Sequence, residues 1–258
     1  DLHSFPTRRS SDLHIVVHYR RSPDGALAEV ERTATGGAGS GGYNPIINRE
    51  STPNPFEGAR SVILSRDNHL LFATNAGDNS VSSFTVDDEG RLTLVDVKRT
   101  GNIVPGPSGS AKSLAYDADS RTLYVLHSLG PDHVRLLSVD AEGRLTARPE
   151  RYTMNVEGKS NRVATTVELS PDGKFLVVGT TFDEPAKPNP DGSPIIYVSR
   201  NGGTPHSVAS NAPDPDGLAV FPVNGHGALG DPLFQDGGGA SPWSIWRSEE
   251  RRVGKECR

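Results

Sequence analysis

One unit of sequence recurs along this chain, and such a recurrence constrains the fold more than any composition can. ARSVILSRDNHLLFATNAGDNSVSSFTVDDEGRLTLVD (59–96) aligns with AKSLAYDADSRTLYVLHSLGPDHVRLLSVDAEGRLTARP (111–149). A third copy opens as ATTVELSPDGKFLVVGTTFDEP (164–185) and resumes as PDGLAVFPVNGHGALGDP (215–232). The first turn of the unit recurs at Ser65, Asp117 and Ser170, in steps of 52 and 53 residues. Its third strand starts at Asn79, Asp132 and Asp216, in steps of 53 and 84, so the last copy carries an insertion of about 31 residues, placed at 181–211. HIVVHYRRSPDGALAEVE (14–31) matches only the second half of the unit, and SPWSI (241–245) only its opening.

Each unit reads as four short strands. Val62 and Leu64, and likewise Val167 and Leu169, alternate with polar positions. A tight turn (SRDN, DADS, SPDG) leads to LLFAT, TLYVL or FLVVG, and a third strand runs through DDEGR, DAEGR or NGHGA into a fourth. Period-two alternation with β-branched residues argues for strands, and Asp, Asn and Gly supply the φ > 0 positions that hairpins need. A four-stranded meander repeated every 40–55 residues or so cannot bury both faces alone, so copies must stack, as blades do around the axis of a β-propeller. The fold class expected is therefore all-β, a propeller of four-stranded antiparallel blades. Its expected divisions are a partial blade at about 14–58, blades at 59–110, 111–162 and 163–240, and a partial blade at 241–246.

The two ends do not belong to this pattern. Read from suitable codons, HSFPTRRSSDL (3–13) and RSEERRVGKEC (247–257) are translations of opposite strands of one DNA sequence that resembles a sequencing adaptor. Residues 1–13 and 247–258 are expected to be foreign tails around an internal piece of a longer gene. Without them the remaining 233 residues hold 20 Lys and Arg against 27 Asp and Glu, and Cys257, the single cysteine, falls away. A net charge of −7 argues against a nucleic-acid partner, whose phosphates select a basic face. The absence of cysteine excludes disulfides and thiolate metal sites from this stretch and fits any compartment. No apolar run approaches the roughly 18 residues that a membrane-spanning helix needs.

The spacing of A-x-S-h-x-h-S-x-D-x-x-x-L-F-h-x-N, followed by N-x-V-S-x-F-x-V-x-x-x-G-x-L, resembles the seven-bladed lactonase family. That family comprises relatives of propeller-type 6-phosphogluconolactonase and carboxymuconate cyclase that share YVTN-type repeats. The resemblance implies seven blades in an intact protein, of which about three full and two partial ones lie here. It implies hydrolysis of a sugar-acid lactone with no metal and no other cofactor, an anionic sugar or lactone as small-molecule partner, and a monomer when complete. The chain departs from the family at the residues expected to act. Asn161-Arg162-Val163-Ala164 lacks the His that precedes the S-P-D-G turn, PSGSAKS and GASPWS lack G-P-R-H, and Ala76 and Ser128 stand in the Glu slot. The rival expectation is a non-catalytic propeller whose insertion at 181–211 builds a surface for a ligand or a protein.

GPSGSAKS (106–113) comes close to a phosphate-binding loop, but the strand pair SLAYDADSRTLYV follows where that loop needs a helix, so it reads as a connection between blades. The Asp-Gly turns lack the ligand spacing of calcium loops. Meander geometry puts the strand-two to strand-three connections and the blade-to-blade connections on one rim, where loops on a rigid scaffold concentrate function. On that rim fall His127 and His133, residues 157–162 with Lys159 and Arg162, and Asp183 and Glu184 at the mouth of the insertion. His127 and Arg162 are the expected catalytic pair, one to take or orient a proton and one to stabilise an oxyanion, with His133, Lys159, Asp183 and Glu184 as substrate-binding groups. His18, His69 and His226 are expected at the surface, away from this rim. A ring lacking blades leaves unpaired sheet edges, so residues 14–246 alone are expected to be poorly soluble or molten.

Overall fold

The computed structural model describes residues 14–39, 43–44, 49–50, 59–102, 111–128, 132–154, 163–181, 196–197, 206–207 and 217–236. The described residues are all-β, in strands β1 (Ile15–Arg21), β2 (Leu27–Ala34), β3 (Tyr43–Asn44), β4 (Arg49–Glu50), β5 (Val62–Leu64), β6 (Leu70–Asn75), β7 (Ser80–Val86), β8 (Leu92–Arg99), β9 (Ala111–Asp117), β10 (Thr122–His127), β11 (Val134–Val139), β12 (Leu145–Tyr152), β13 (Val163–Leu169), β14 (Phe175–Thr181), β15 (Ile196–Tyr197), β16 (His206–Ser207), β17 (Gly217–Pro222) and β18 (Leu233–Asp236). Three antiparallel four-stranded sheets result, in the orders β5-β6-β7-β8, β9-β10-β11-β12 and β13-β14-β17-β18, beside the two-stranded ribbons β1-β2, β3-β4 and β15-β16.

Two kinds of turn, each set by one side chain, repeat the hairpins. In the first, Ser65 N–H donates to Leu70 O (2.8 Å) and Ser170 N–H to Phe175 O (2.7 Å). The serine hydroxyl donates to the aspartate two residues on, Ser65 to Asp67 at 2.6 Å and Ser170 to Asp172 at 2.7 Å. That bond, with backbone N–H donors, holds both carboxyls below the usual carboxylate range. In the second, one Oδ1 accepts two backbone N–H groups: Asp87 from Glu89 and Arg91, Asp140 from Glu142 and Arg144, Asn224 from His226 and Ala228. Gly90, Gly143 and Gly227 take the left-handed position (φ 80, 86 and 76°) that a Cβ would resist. The turn at Ser22 has the backbone frame of the second kind, although its hydroxyl donates to Asp24 as in the first. Ser22 N–H donates to Ala26 O and Gly25 sits at φ 90°, which makes β1-β2 the counterpart of β7-β8.

Stacking buries the sheets. Every residue of β10 is buried, and its side chains alternate between two cores. Leu123 and Val125 join Phe72, Val81, Leu114 and Leu137 against the β5–β8 sheet. Tyr124 and Leu126 join Val167, Leu176, Val178 and Phe221 against the β13-β14-β17-β18 sheet. A smaller core of Val16, Leu71, Ala73 and Phe84 seats β1-β2 on the other face of the β5–β8 sheet. Each fully buried large apolar side chain contributes about 1.5–3 kcal/mol relative to exposure, so a middle sheet gains on both faces what an end sheet gains on one. Among the described residues no helix is long and apolar enough to cross a membrane.

Candidate functional site

The rim that carries His127 is held by polar bonds running from one sheet to the next. His127, the last residue of β10, is fully buried. Its backbone N–H donates to His133 O at 2.7 Å, and its Nδ1 lies 3.3 Å from the same carbonyl. A carbonyl only accepts, so Nδ1 carries the proton and Nε2, 2.9 Å from Thr100 Oγ1, accepts from that hydroxyl. Thr100 follows β8, so this bond joins two sheets, and Thr100 Oγ1 in turn accepts Asn102 N–H at 3.3 Å. Burial pushes the His127 pKa down to about 3; the charges of His133 and Arg135 act in the same direction, against the His133 carbonyl. His133 is buried as well, and its Nδ1 accepts Met154 N–H at 3.2 Å with the Thr153 hydroxyl 3.4 Å away.

The same slots are filled in the neighbouring sheets by other polar residues. Asn75 stands where His127 does, buried, donating to Ser80 Oγ (3.0 Å) and Ser82 Oγ (2.8 Å), with His14 Nδ1 2.7 Å from its Oδ1. Asn79 and His14 stand where His133 does. Asn79 Oδ1 accepts Ala111 N–H at 3.0 Å and its Nδ2 donates to Asn102 O at 3.2 Å. Thr35, Thr100 and Thr153 follow the fourth strand each time, and Thr35 N–H and Thr100 N–H donate to His14 O and Asn79 O (2.9 and 2.8 Å). His127 and His14 therefore sit in a repeated polar staple between neighbouring sheets, and His133 ties the end of β12 within its own sheet.

Beside this staple lies a guanidinium held from two sides. Arg135 Nε donates to Thr100 O at 3.1 Å and Nη1 to Asp132 Oδ2 at 3.1 Å, while the exposed Arg151 reaches within 4.0 Å of the same carboxylate. Gly101 makes room for it, because a Cβ there would stand 3.0 Å from Arg135 Nη2. A second cation ties the innermost strands: Arg60 Nη1 meets Glu168 Oε2 at 2.6 Å and its Nε donates to Leu114 O at 3.3 Å, linking three sheets.

The structure thus brings His127 and His133 together. Arg162, Lys159, Asp183 and Glu184 lie outside the described residues, as does the insertion 181–211 beyond Thr181 and the ribbon β15-β16. His69 and His226 are exposed, and His18 is half-buried against Gly90 and Glu31. Lys112 and Ser113, the end of the phosphate-loop-like segment, lie on strand β9 and open no helix. Sequence reasoning missed Thr100, Asn79, Arg135 and Asp132 as one cluster; the recurrence of Thr35-Gly36-Gly37, Thr100-Gly101-Asn102 and Thr153-Met154-Asn155 was the available signal. Among the described residues no three metal-ligating side chains converge.

Known proteins share this architecture. Residues 24–229 match the family of seven-bladed beta-propeller lactonases. The chain belongs to that family. A putative 6-phosphogluconolactonase from Bacteroides uniformis is similar in structure, with a TM-score of 0.58 at 18% identity over 93% of this chain and 59% of the other. A protein from Lactobacillus plantarum gives 0.55 at 19% over 86% and 51%. The periplasmic gluconolactonase of Pseudomonas aeruginosa gives 0.46 at 23% over 85% and 62%. At these identities the first two likenesses show the fold. The chain spans between half and two thirds of the length of these solved relatives. A comparison with curated protein sequences finds no match.

Proposed function

We propose that this lactonase-family propeller contributes to hydrolysis of a sugar-acid lactone at the rim carrying His127. The observation that carries the reading is the family match over residues 24–229, supported by the putative 6-phosphogluconolactonase among its structural neighbours. In the reaction a water oxygen adds to the lactone carbonyl carbon and the ring C–O bond breaks. The water protons pass to the departing alkoxide and to solvent, leaving a carboxylate and a hydroxyl. Cations near the carbonyl oxygen stabilise the tetrahedral anion. Arg162 and Lys159, just ahead of β13, are proposed for that task, with Asp183 and Glu184 as substrate-binding groups. His127 and His133 are proposed to position the rim. An imidazole whose pKa lies near 3 is too weak a base to take a proton efficiently at neutral pH, which argues for orientation over proton transfer.

One observation favours the second reading, a ligand-binding propeller without catalysis: His127 is committed to the bond between sheets with Thr100, and His133 to Met154 N–H within its own sheet. The two are separated by following acid release from glucono-1,5-lactone at constant pH, with a protein that carries all seven blades. Turnover above the spontaneous rate that falls at least tenfold in Arg162→Ala supports the enzyme. A rate equal to the spontaneous one, with the protein folded, overturns it.

A further inference from the structure

One position of the third strand faces the sheet before, the fifth residue ahead of the hairpin's first: Val17, Ser82, Arg135 and Ala219. At Ser82 the hydroxyl donates to Thr35 O at 2.6 Å. Arg135 makes the same bond to the next sheet's Thr100 O, from Nε at 3.1 Å. Ser82 shows that a single small donor meets the structural need, and Val17 and Ala219 supply no side-chain donor at all. The strand opposite tells the same story. Val17 pairs in register with Arg32, Ser82 with Val97 and Ala219 with Phe234, but Arg135 pairs with Arg151. Only in the β9–β12 sheet do two cations face each other there.

Like charges directly opposite on neighbouring strands repel, so this pair costs the sheet stability. Asp132 is the one carboxylate that meets either guanidinium among the described residues. Its Oδ2 accepts from Arg135 Nη1 at 3.1 Å and lies 4.0 Å from Arg151 Nη1. Two guanidinia against one carboxylate leave a positive charge over. The Arg135 side chain is 11% exposed, which limits screening by water, whereas that of Arg151 is 68% exposed and reaches solvent. Arg135 Nη2 makes no hydrogen bond among the described residues, and Gly101 approaches that nitrogen without a Cβ. The next residue, Asn102, is buried, and its Nδ2 likewise has no partner among the described residues.

We propose that Arg135 and Arg151 form a binding site for a small oxyanion, the carboxylate or phosphate group of a ligand held at the junction of the β5–β8 and β9–β12 sheets. A guanidinium is planar, stays charged at any physiological pH and presents its N–H donors to paired oxygens, which selects an oxyanion over a monatomic ion. Thr100 O and Asp132 fix Arg135 in place, so its Nη2 meets the anion with little further loss of side-chain freedom. Arg151 closes on the anion from the solvent side. Asp132 holds the two cations near one another, and the bound anion neutralises the charge that Asp132 leaves over. The inference stands whether or not this rim hydrolyses a lactone, because binding is read without turnover.

The test is isothermal titration calorimetry of the full chain with inorganic phosphate and with gluconate at constant ionic strength, with far-UV circular dichroism as a check on each fold. At least one of the two anions should bind at a single site per chain, and the tighter one names the source of the oxyanion. Arg151→Gln, a change at the surface, should weaken binding at least about tenfold. Arg135→Ser keeps the donor that Ser82 supplies in the neighbouring sheet and should abolish binding; if it does not fold, Arg151→Gln carries the test alone. Arg32→Gln removes the exposed cation that stands opposite Val17 as Arg151 stands opposite Arg135, and should leave binding unchanged. No heat beyond dilution with either anion, equal affinity in the parent and Arg151→Gln, or a loss in Arg32→Gln as large as that in Arg151→Gln would each overturn the proposal.

Discussion

Substituting His127 by Gln gives the sharpest energetic prediction. Gln reaches Thr100 with an amide and cannot be protonated, so the staple persists while the titration disappears. In the folded protein the imidazole titrates at about 3, against 6.5 for a free side chain. Between these values the unfolded chain binds a proton that the folded chain refuses, so stability falls as pH drops from 6.5 toward 3 and levels off below. At pH 7 both states are nearly unprotonated and the penalty is small. At pH 5 it amounts to about 2 kcal/mol, from the separation of the two titrations. Urea unfolding followed by far-UV circular dichroism, at one protein concentration, should show His127→Gln less stable at pH 7 by about 1–2 kcal/mol through a poorer bond to Thr100. The gap should then close by about 2 kcal/mol at pH 5, since only the parent carries the proton penalty. Equal losses for parent and variant between pH 7 and pH 5 would refute the buried, neutral imidazole.

Three further outcomes follow from single contacts. Tyr124→Phe removes the hydroxyl that donates to Gly227 O at 2.8 Å between two sheets and leaves that buried carbonyl alone, a loss of about 1–3 kcal/mol read by urea unfolding. Asn75→Ala removes a fully buried amide that donates to the Ser80 and Ser82 hydroxyls and accepts at the His14 ring, while those hydroxyls keep their bonds to Asp78 and Thr35 O; it should lower stability by about 1–3 kcal/mol in the same titration. Gly143→Ala puts a Cβ at φ 86° only 2.9 Å from Leu70 Cδ2, and should lower stability by about 1–2 kcal/mol, whereas Gly173→Ala, at φ 69° with open space around it, should lose only the backbone part of about 1 kcal/mol.

Local chemistry was legible in the sequence and long-range chemistry was not. Ser65, Ser170, Asp87 and Asp140 set their turns with partners two to five residues away, so turn residues and strand alternation were enough to mark the hairpins. The burial of β10 on both faces also followed from stacking, since TLYVL is apolar after its first residue. The polar staple escaped because its partners are far apart in sequence: 27 residues separate His127 from Thr100 and 32 separate Asn79 from Ala111. A buried histidine and a surface histidine look alike in a rim loop, and only the packing of the next sheet decides which one His127 is. Arg60 was missed for the same reason, since its carboxylate partner is Glu168, two repeats later.

Sheets stacked face to face underlie every contact described above, and amide hydrogen exchange resolved to single strands tests that stacking most directly. Amides of β10, covered on both faces, should exchange only through global unfolding, and those of β2, whose residues are mostly exposed, at least about a hundredfold faster. Exchange at β10 as fast as at β2 would contradict it.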